Sequence, residues 1–572
     1  MMRRHNLPVR LCMSVAMGLA FLFAPLTAKA RQTLPHLSLS VDGYYWARYT
    51  YIRDLANLKN QVLPGTGNRL RNPILNTNYM THQVRVEPRV RLGRLAKVQM
   101  RIDALQDVVW GDNAGLAPIG LFSEQPSDTD AMGNQVSSIA LHSVFLELNV
   151  NIGLLRIGRM PANWGMGYLI NDGGNLTKHR AGVDDSFGDN HFPTIYDRAM
   201  FLTDVIKLVR RFSRFKVATN HHLYLAYAYD RIVEEPNVPG LPSDFQRPYG
   251  EQTFLSREQN NVDEHVGILL YQWNHFADSV PWLKRWGPTA LKAGLYVAYR
   301  RQRTTAGIIR LWDSATNGYV AHDCTTEDLP ICGGKNDIMT LDPYFNIHLG
   351  RLVTAGAEAY FVRGQTDRRA IAIGPGVTRV AAYGWVTRVQ SSVLRWLGMS
   401  AEAGQAAGDA NFSDRTFRQV SAHPDYNVGL ILYEEFLRQR SATALAYAYP
   451  YRQDPTKVWA SRGLQSNGGV IDSFYFMPMV SASPVEFLKV RLAVLTAWAH
   501  RQDGALFPTG RGRRIGTEVD LGLDVKWGLG DDELSHLLLR VETGYLFFGP
   551  QVAPDYAAPG SFSIQARVAF VL

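Results

Sequence analysis

The sequence predicts an all-β chain: a single closed, antiparallel transmembrane β-barrel of about 18–20 strands, with long outer loops and short periplasmic turns. Three observations carry this. Apolar and polar residues alternate with period two in segment after segment, which sets them on opposite faces of a strand. After residue 30 no run approaches 18 consecutive apolar residues, so no transmembrane helix is read. Residues 31–572 are too many for one ordinary core, yet no linker or low-complexity boundary divides them. A large barrel resolves that tension, because lipid outside and side chains or water inside replace the core.

Residues 1–30 read as a secretory signal. Arg3, Arg4 and Arg10 make a basic start, Leu11 to Leu26 is apolar, and Ala28-Lys29-Ala30 fits a small-x-small cleavage site. Cys12 lies in the apolar run without a lipid-anchor context. The barrel is then expected to occupy 31–572. In its first strand, Leu37, Leu39, Val41, Tyr45 and Tyr49 share one face, and Ser38, Ser40, Asp42 and Arg48 the other. In the second, Val84, Val86, Pro88 and Val90 alternate with Gln83, Arg85, Glu87, Arg89 and Arg91, and Pro88 suggests a bulge. Past the Gly93-Arg94 turn, Val98, Met100 and Ile102 alternate with Lys97, Gln99, Arg101 and Asp103.

Long loops are expected near 111–136, 165–195, 230–262, 303–339, 365–376, 408–423, 452–468, 502–514 and 549–559. Tight turns are expected near 151–153, 211–214, 350–351, 391–393, 483–485 and 528–532. Weak strand candidates at 152–160 and 441–450 decide between 18 and 20 strands. The exception to tight turns is 274–288, where Trp282-Leu283-Lys284-Arg285-Trp286 reads as a small interfacial helix. In the late strands Val519, Leu521, Leu523 and Val525 oppose Glu518, Asp520, Asp524 and Lys526. The final stretch, Ser561 to Leu572, alternates Phe562, Ile564, Ala566, Val568 and Phe570 with Ser563, Gln565, Arg567, Ala569 and Val571. A terminal strand of this kind is similar to the signal that barrel-assembly machinery reads in bacterial outer-membrane barrels, although it ends in Leu where Phe is usual.

Composition agrees with two membrane interfaces: 26 Tyr, 25 Phe and 12 Trp. Of 60 basic residues 48 are arginine, in a chain of formal charge +9. Arg85, Arg89, Arg91, Arg101, Arg156, Lys292, Arg491, Arg540 and Arg567 fall on inward register positions and are the candidate pore-lining cations, favouring anionic solutes. Cys324 and Cys332 are a candidate loop disulfide. No nucleophile elbow, zinc-protease motif or phosphate loop is present, so no enzyme, cofactor, metal or nucleic-acid partner is expected. The Arg511-Gly512-Arg513-Arg514 cluster reads either as a patch near lipopolysaccharide phosphates or as a solvated loop.

One segment is distinctive: Gly158-Arg159-Met160-Pro161-Ala162-Asn163-Trp164-Gly165-Met166-Gly167, then Asn171-Asp172-Gly173-Gly174, Phe187-Gly188-Asp189 and Asp197-Arg198. Across these 45 or so residues the chain resembles a sparsely characterised outer-membrane barrel family of myxobacteria and related delta-proteobacteria, which shows a Gly-Arg-x-Pro-x-x-Trp-Gly-x-Gly run. A looser, architectural likeness is to alginate-type exopolysaccharide exporters. From the residues themselves, the loop gathers Trp164, Asp172, Asp184, Asp185, Asp189, Asp197 and Arg198 as constriction candidates if it folds inward, or as a rim packed for stability if it does not. The expectation is therefore an outer-membrane conduit for hydrophilic, anionic material, first a polysaccharide exported with a periplasmic partner. The alternatives are a general diffusion porin and a structural or surface-binding barrel with a closed lumen.

Overall fold

In the computed structural model, each strand marked by alternation pairs with its neighbour, and the first strand returns to the last. The structure describes residues 37–55, 76–104, 108–111, 139–174, 187–188, 193–212, 219–232, 262–302, 308–313, 318–323, 336–366, 377–409, 415–438, 440–441, 466, 468–502, 512–528, 535–553 and 558–571. The expected signal peptide, Cys324, Cys332, Asp184, Asp185, Asp189 and Arg511 lie outside them.

Among the described residues eighteen strands form the barrel. They are β1 Leu37–Arg53, β2 Asn76–Leu92, β3 Ala96–Ala104, β4 Ile139–Val150, β5 Gly153–Pro161, β6 Ile195–Asp204, β7 His221–Ile232, β8 Val262–Asn274 and β9 Thr289–Gln302. The second half comprises β10 Asn336–Leu349, β11 Val353–Thr366, β12 Thr378–Leu394, β13 Leu397–Ala406, β14 Ser473–Val485, β15 Leu488–Ala499, β16 Arg514–Gly528, β17 His536–Phe548 and β18 Gly560–Val571. Val108–Gly111 prolongs the β3 side of the ladder along β2. A small hairpin, Ile308–Asp313 with Gly318–Asp323, stands apart in the β9–β10 loop. Closure is antiparallel, from Arg53 opposite Phe562 to Tyr44 opposite Val571.

The two faces differ as the alternation requires. Leu521 and Val568 point outward and are 46% and 49% exposed, while their neighbours Asp520 and Arg567 are buried inside. No helix among the described residues is long and apolar enough to cross a membrane. A closed sheet leaves no backbone edge unpaired in hydrocarbon, so with this greasy exterior the strands themselves cross the bilayer. The chain is an outer-membrane barrel.

Some expectations hold and others are corrected. The candidate at 152–160 is a true strand, β5. Beyond β13 no further hairpin joins the barrel among the described residues: Thr416–Phe417 pairs briefly along β12, and the chain as far as residue 438 then folds inward. Ser441 is described without strand structure, and 442–450 lie outside the described residues. The turns expected at 391–393 and 483–485 are register shifts inside the β12–β13 and β14–β15 ladders, and the chain reverses two to three residues later. Serines there satisfy a bulge as readily as a turn. A helix, α1 Val205–Phe212, replaces the simple turn expected near 211–214. Val205, Val209 and Phe212 recur at helical spacing, a signal hidden beneath the strand that precedes it. The expected helix near Trp282 is present as α2 Pro281–Lys284.

Pro88 does not produce a bulge. The ladder to β3 omits Glu87 and Pro88 and resumes at Arg89 in unchanged register. Pro343 and Pro478 do the same in β10 and β14. A proline lacks only the donor directed at one neighbour, so the local ladder is lost while the strand stays straight.

Leu521→Arg, at mid-strand on the lipid face, is expected to destabilise the barrel folded in phospholipid vesicles by about 2–4 kcal/mol. Urea titration in vesicles measures it, and a change near zero would oppose the lipid-facing assignment.

Candidate functional site: the lumen and its two inward segments

Charged side chains on the inner wall are mostly matched. Arg85 holds Asp103 through Nε at 2.6 Å and Nη2 at 2.5 Å, and Arg101 holds Glu87 at 2.8 Å. Arg89 reaches Asp42 at 2.6 Å, and Arg156 reaches Glu147 at 2.7 Å. Across the β1–β18 closure, Arg540 meets Asp524 at 2.7 Å, and Arg491 meets Glu542 at 3.0 Å. Arg198 grips Asp230 at 2.7 and 2.6 Å. Isolated buried charges are too costly to keep, so inward arginines come with inward acids. The bare cationic wall expected from the arginine list is therefore corrected to a wall of ion pairs. Arg91 and Lys292, near the short-turn rim, have no ion pair among the described residues.

Two loops fold into this wall. The first follows β5. Its backbone turns sharply at Gly165 (φ 58°) and Gly167 (φ 83°), conformations that side chains disfavour. A Cβ at Gly165 would also collide with the Glu358 carboxylate. That carboxylate, on β11, accepts the backbone N–H groups of Met166, Tyr168 and Leu169, the last two at 3.1 and 3.2 Å. Trp164 Nε1 donates to the Asp342 carbonyl oxygen at 3.0 Å, and its ring packs on Tyr296 and Tyr344. Arg101 donates to the Asp172 carbonyl oxygen at 3.2 Å. Further along the same loop, Arg567 donates to the Gly188 carbonyl oxygen at 3.3 Å, and the Arg491 guanidinium lies 4.9 Å from the Phe187 ring centroid. Several arginines taken as solute contacts thus hold a loop.

The second segment follows β13. Glu518, on β16, accepts the N–H groups of Leu430, Ile431 and Leu432 at 2.6, 2.7 and 2.7 Å. A π-helical turn, Leu432–Leu437, continues from there, with Tyr433 bonded to Ser473 at 2.8 Å and Phe436 packed on Phe548. Glu402 accepts the hydroxyls of Tyr475 at 2.6 Å and Tyr426 at 3.1 Å and also pairs with Arg388. The two segments meet. Tyr168 packs edge-on against Tyr426, and the His423 N–H donates to the Tyr168 carbonyl oxygen at 2.7 Å. His423 Nδ1 accepts the Asp425 N–H at 3.0 Å, so Nε2 carries the proton and donates to Thr194 Oγ1 at 2.9 Å.

Of the constriction candidates, Trp164, Asp172 and Arg198 are buried inside. Asp197 is not a lumen residue: it sits on the outward face of β6 and pairs with Arg159 at 2.9 Å. The register explains this, because Tyr196, Arg198 and Met200 take the inward positions. Glu358, Glu402 and the 429–437 run were not singled out from the sequence. Alternation places Glu518 on the inward face but gives it no role.

No protein family and no curated protein matches the sequence. Solved structures do. The chain is similar to OccK9 (OpdG) of Pseudomonas aeruginosa, with 9% identity over 94% of this chain and 99% of that one, at a TM-score of 0.44. It is also similar to OccK5 (OpdH) of the same organism (8% identity, 93% and 98% covered, TM-score 0.39). A third likeness is to a loop L8 deletion mutant of OmpT, an outer membrane protein of Vibrio cholerae (10% identity, 94% and 99% covered, TM-score 0.32). The fold itself rests on the strand registers above.

Glu358→Ala and Glu518→Ala each strand three backbone donors. Each is expected to destabilise its own loop by about 1–3 kcal/mol or more. Hydrogen exchange should rise at 164–170 in the first variant and at 429–437 in the second. Exchange rising equally in both loops for either variant would show that neither carboxylate acts locally.

Burial pushes the Glu435 carboxyl up to about 7 and holds Glu434 well above its usual range. Between the ordinary value of 4.5 and about 7 the folded state binds more protons than the unfolded one, so stability in this segment falls as pH rises. Amides at 432–437, corrected for intrinsic exchange, should be better protected at about pH 5 than at about pH 7.5. Glu435→Gln should flatten the difference; an unchanged pH dependence in that variant would assign it elsewhere.

Proposed function

We propose that the protein is an outer-membrane channel for small hydrophilic solutes, with passage set by the two inward segments. The observation that carries this reading is the pair of wall carboxylates, Glu358 and Glu518, each fastening an inward loop through three backbone N–H groups. A barrel built only as a scaffold has no need to fasten irregular backbone against a charged inner wall. Export of a polysaccharide is the weaker reading, because a polymer needs a continuous bore where Tyr168, Tyr426 and Leu430 to Leu437 are packed together. A preference for anions would come from the short-turn end, where Arg91 and Lys292 stand on inward positions without ion-pair partners among the described residues.

Planar-bilayer recording tests this. Discrete conductance steps are expected, with an anion-favouring reversal potential in a salt gradient. Arg91→Glu with Lys292→Glu should move that potential toward cations. Arg85→Glu is a poor probe, since it leaves Asp103 buried without its partner. A barrel that inserts and stays silent under all conditions would sink the channel reading and favour a closed, surface-binding role.

A further inference from the structure

On the outer face, at the long-loop ends of four strands, the aliphatic band gives way to a polar aromatic patch. Tyr383 and Trp385 on β12, Gln405 on β13, Phe474 on β14 and Trp498 on β15 all occupy outward register positions. Phe474 lies between the two tryptophans, its ring centroid 6.0 Å from Trp385 and 5.6 Å from Trp498. Trp385 Nε1 donates to Gln405 Oε1 at 3.2 Å, and Gln405 Nε2 donates to the Tyr383 oxygen at 3.3 Å.

His500, just past β15, completes the set. Its Nδ1 accepts the Gly408 N–H at 3.2 Å, so Nε2 carries the ring proton and gives it to the same Tyr383 oxygen at 3.3 Å. The Tyr383 oxygen therefore accepts twice, and no acceptor among the described residues takes its own proton. Arg501 adjoins His500, and Arg513 lies across the hairpin, where its carbonyl oxygen accepts the Ala499 N–H at 2.7 Å. Both arginines are exposed, and neither they nor Arg514 form an ion pair among the described residues. Burial, with the charges of Arg501 and Arg513, holds the His500 ring below its usual protonation range. Asp472 accepts the Arg501 backbone N–H at 3.3 Å, but burial pushes its carboxyl up to about 8, so near neutral pH it does little to cancel that charge.

We propose that this patch is a docking surface for a phosphorylated glycolipid of the outer leaflet. Arg501, Arg513 and the Tyr383 hydroxyl take the phosphate oxygens, and the Trp385–Phe474–Trp498 face lies along the sugar and the upper acyl chains. Charge complementarity selects the occupant. Exposed arginines bind phosphate bidentately, and aromatic rings at headgroup depth suit an amphiphile. A soluble anion would use only the arginines, and an uncharged lipid only the rings. The inference is independent of whether the lumen conducts.

The test titrates the purified barrel, in neutral detergent, with lipid A, with lipid A stripped of its phosphates, and with inorganic phosphate. Binding is read from the unfolding midpoint and from retention in native mass spectrometry. Lipid A alone should raise the midpoint. Arg501→Ala with Arg513→Ala should weaken its binding roughly tenfold or more, and Tyr383→Phe by a smaller factor. Far-ultraviolet circular dichroism and the lipid-free midpoint establish that the variants fold; Tyr383→Phe removes one oxygen and carries the test if the double variant does not. Equal binding of the phosphate-free lipid would reduce the patch to an apolar surface. An equal shift with inorganic phosphate would make it a soluble-anion site. Unaltered lipid A binding in the folded variants would remove these residues from it. Each of the three overturns the proposal.

Discussion

Irregular backbone inside a barrel must find acceptors for its N–H groups, because the surrounding wall has already spent its own backbone on the ladder. In this protein two inner-wall carboxylates meet that demand. Glu358 takes three donors from the loop after β5, and Glu518 takes three from the segment after β13. A carboxylate suits the task because it offers several lone pairs and its charge strengthens each bond. The loop must in turn bring its donors within reach of one group, and the positive φ values at Gly165 and Gly167, and at Gly429 beside the second cluster, supply that curvature. The position of each segment in the lumen follows from which strand carries its carboxylate.

The same economy governs the inner charges. Outward residues are mostly aliphatic or aromatic; the charged residues among the inward ones come largely in matched sets. Arg85 with Asp103, Arg101 with Glu87, and Arg491 and Arg540 with Asp524 and Glu542 form neighbouring networks across adjacent strands. Such pairs fix strand against strand and hold the loops, as Arg101 does at the Asp172 carbonyl. Arg91 and Lys292, at the short-turn rim, stand outside these sets and have no ion pair among the described residues.

The strands were legible because their signal is local. Period-two alternation over ten residues needs no knowledge of the partner strand, and it set Val568 outward and Arg567 inward without ambiguity. The site was less legible because its signal is distant. Nothing near Glu358 in the sequence names Met166, almost two hundred positions earlier, as its partner. Leu430 to Tyr433 is a short apolar run followed by Glu434 and Glu435, and nothing beside it in the sequence names Glu518 as its anchor. Asp197 lies next to the loop acids in sequence, but the parity of β6 puts it outside with Arg159. That placement was legible in the sequence; the two carboxylate anchors were not.

The two anchors also bear on how the lumen can change. Glu358 and Glu518 sit on β11 and β16, and each holds its own loop, so releasing one does not by itself release the other. Yet the loops touch through Tyr168, Tyr426 and His423, and that contact is made of aromatic packing and a few neutral hydrogen bonds. Neutral contacts between two separately anchored bodies are the weaker joint. Parting of the two segments should therefore begin at the seam between them, with both carboxylates still in place, because separation there costs less than stripping three charged hydrogen bonds from either wall.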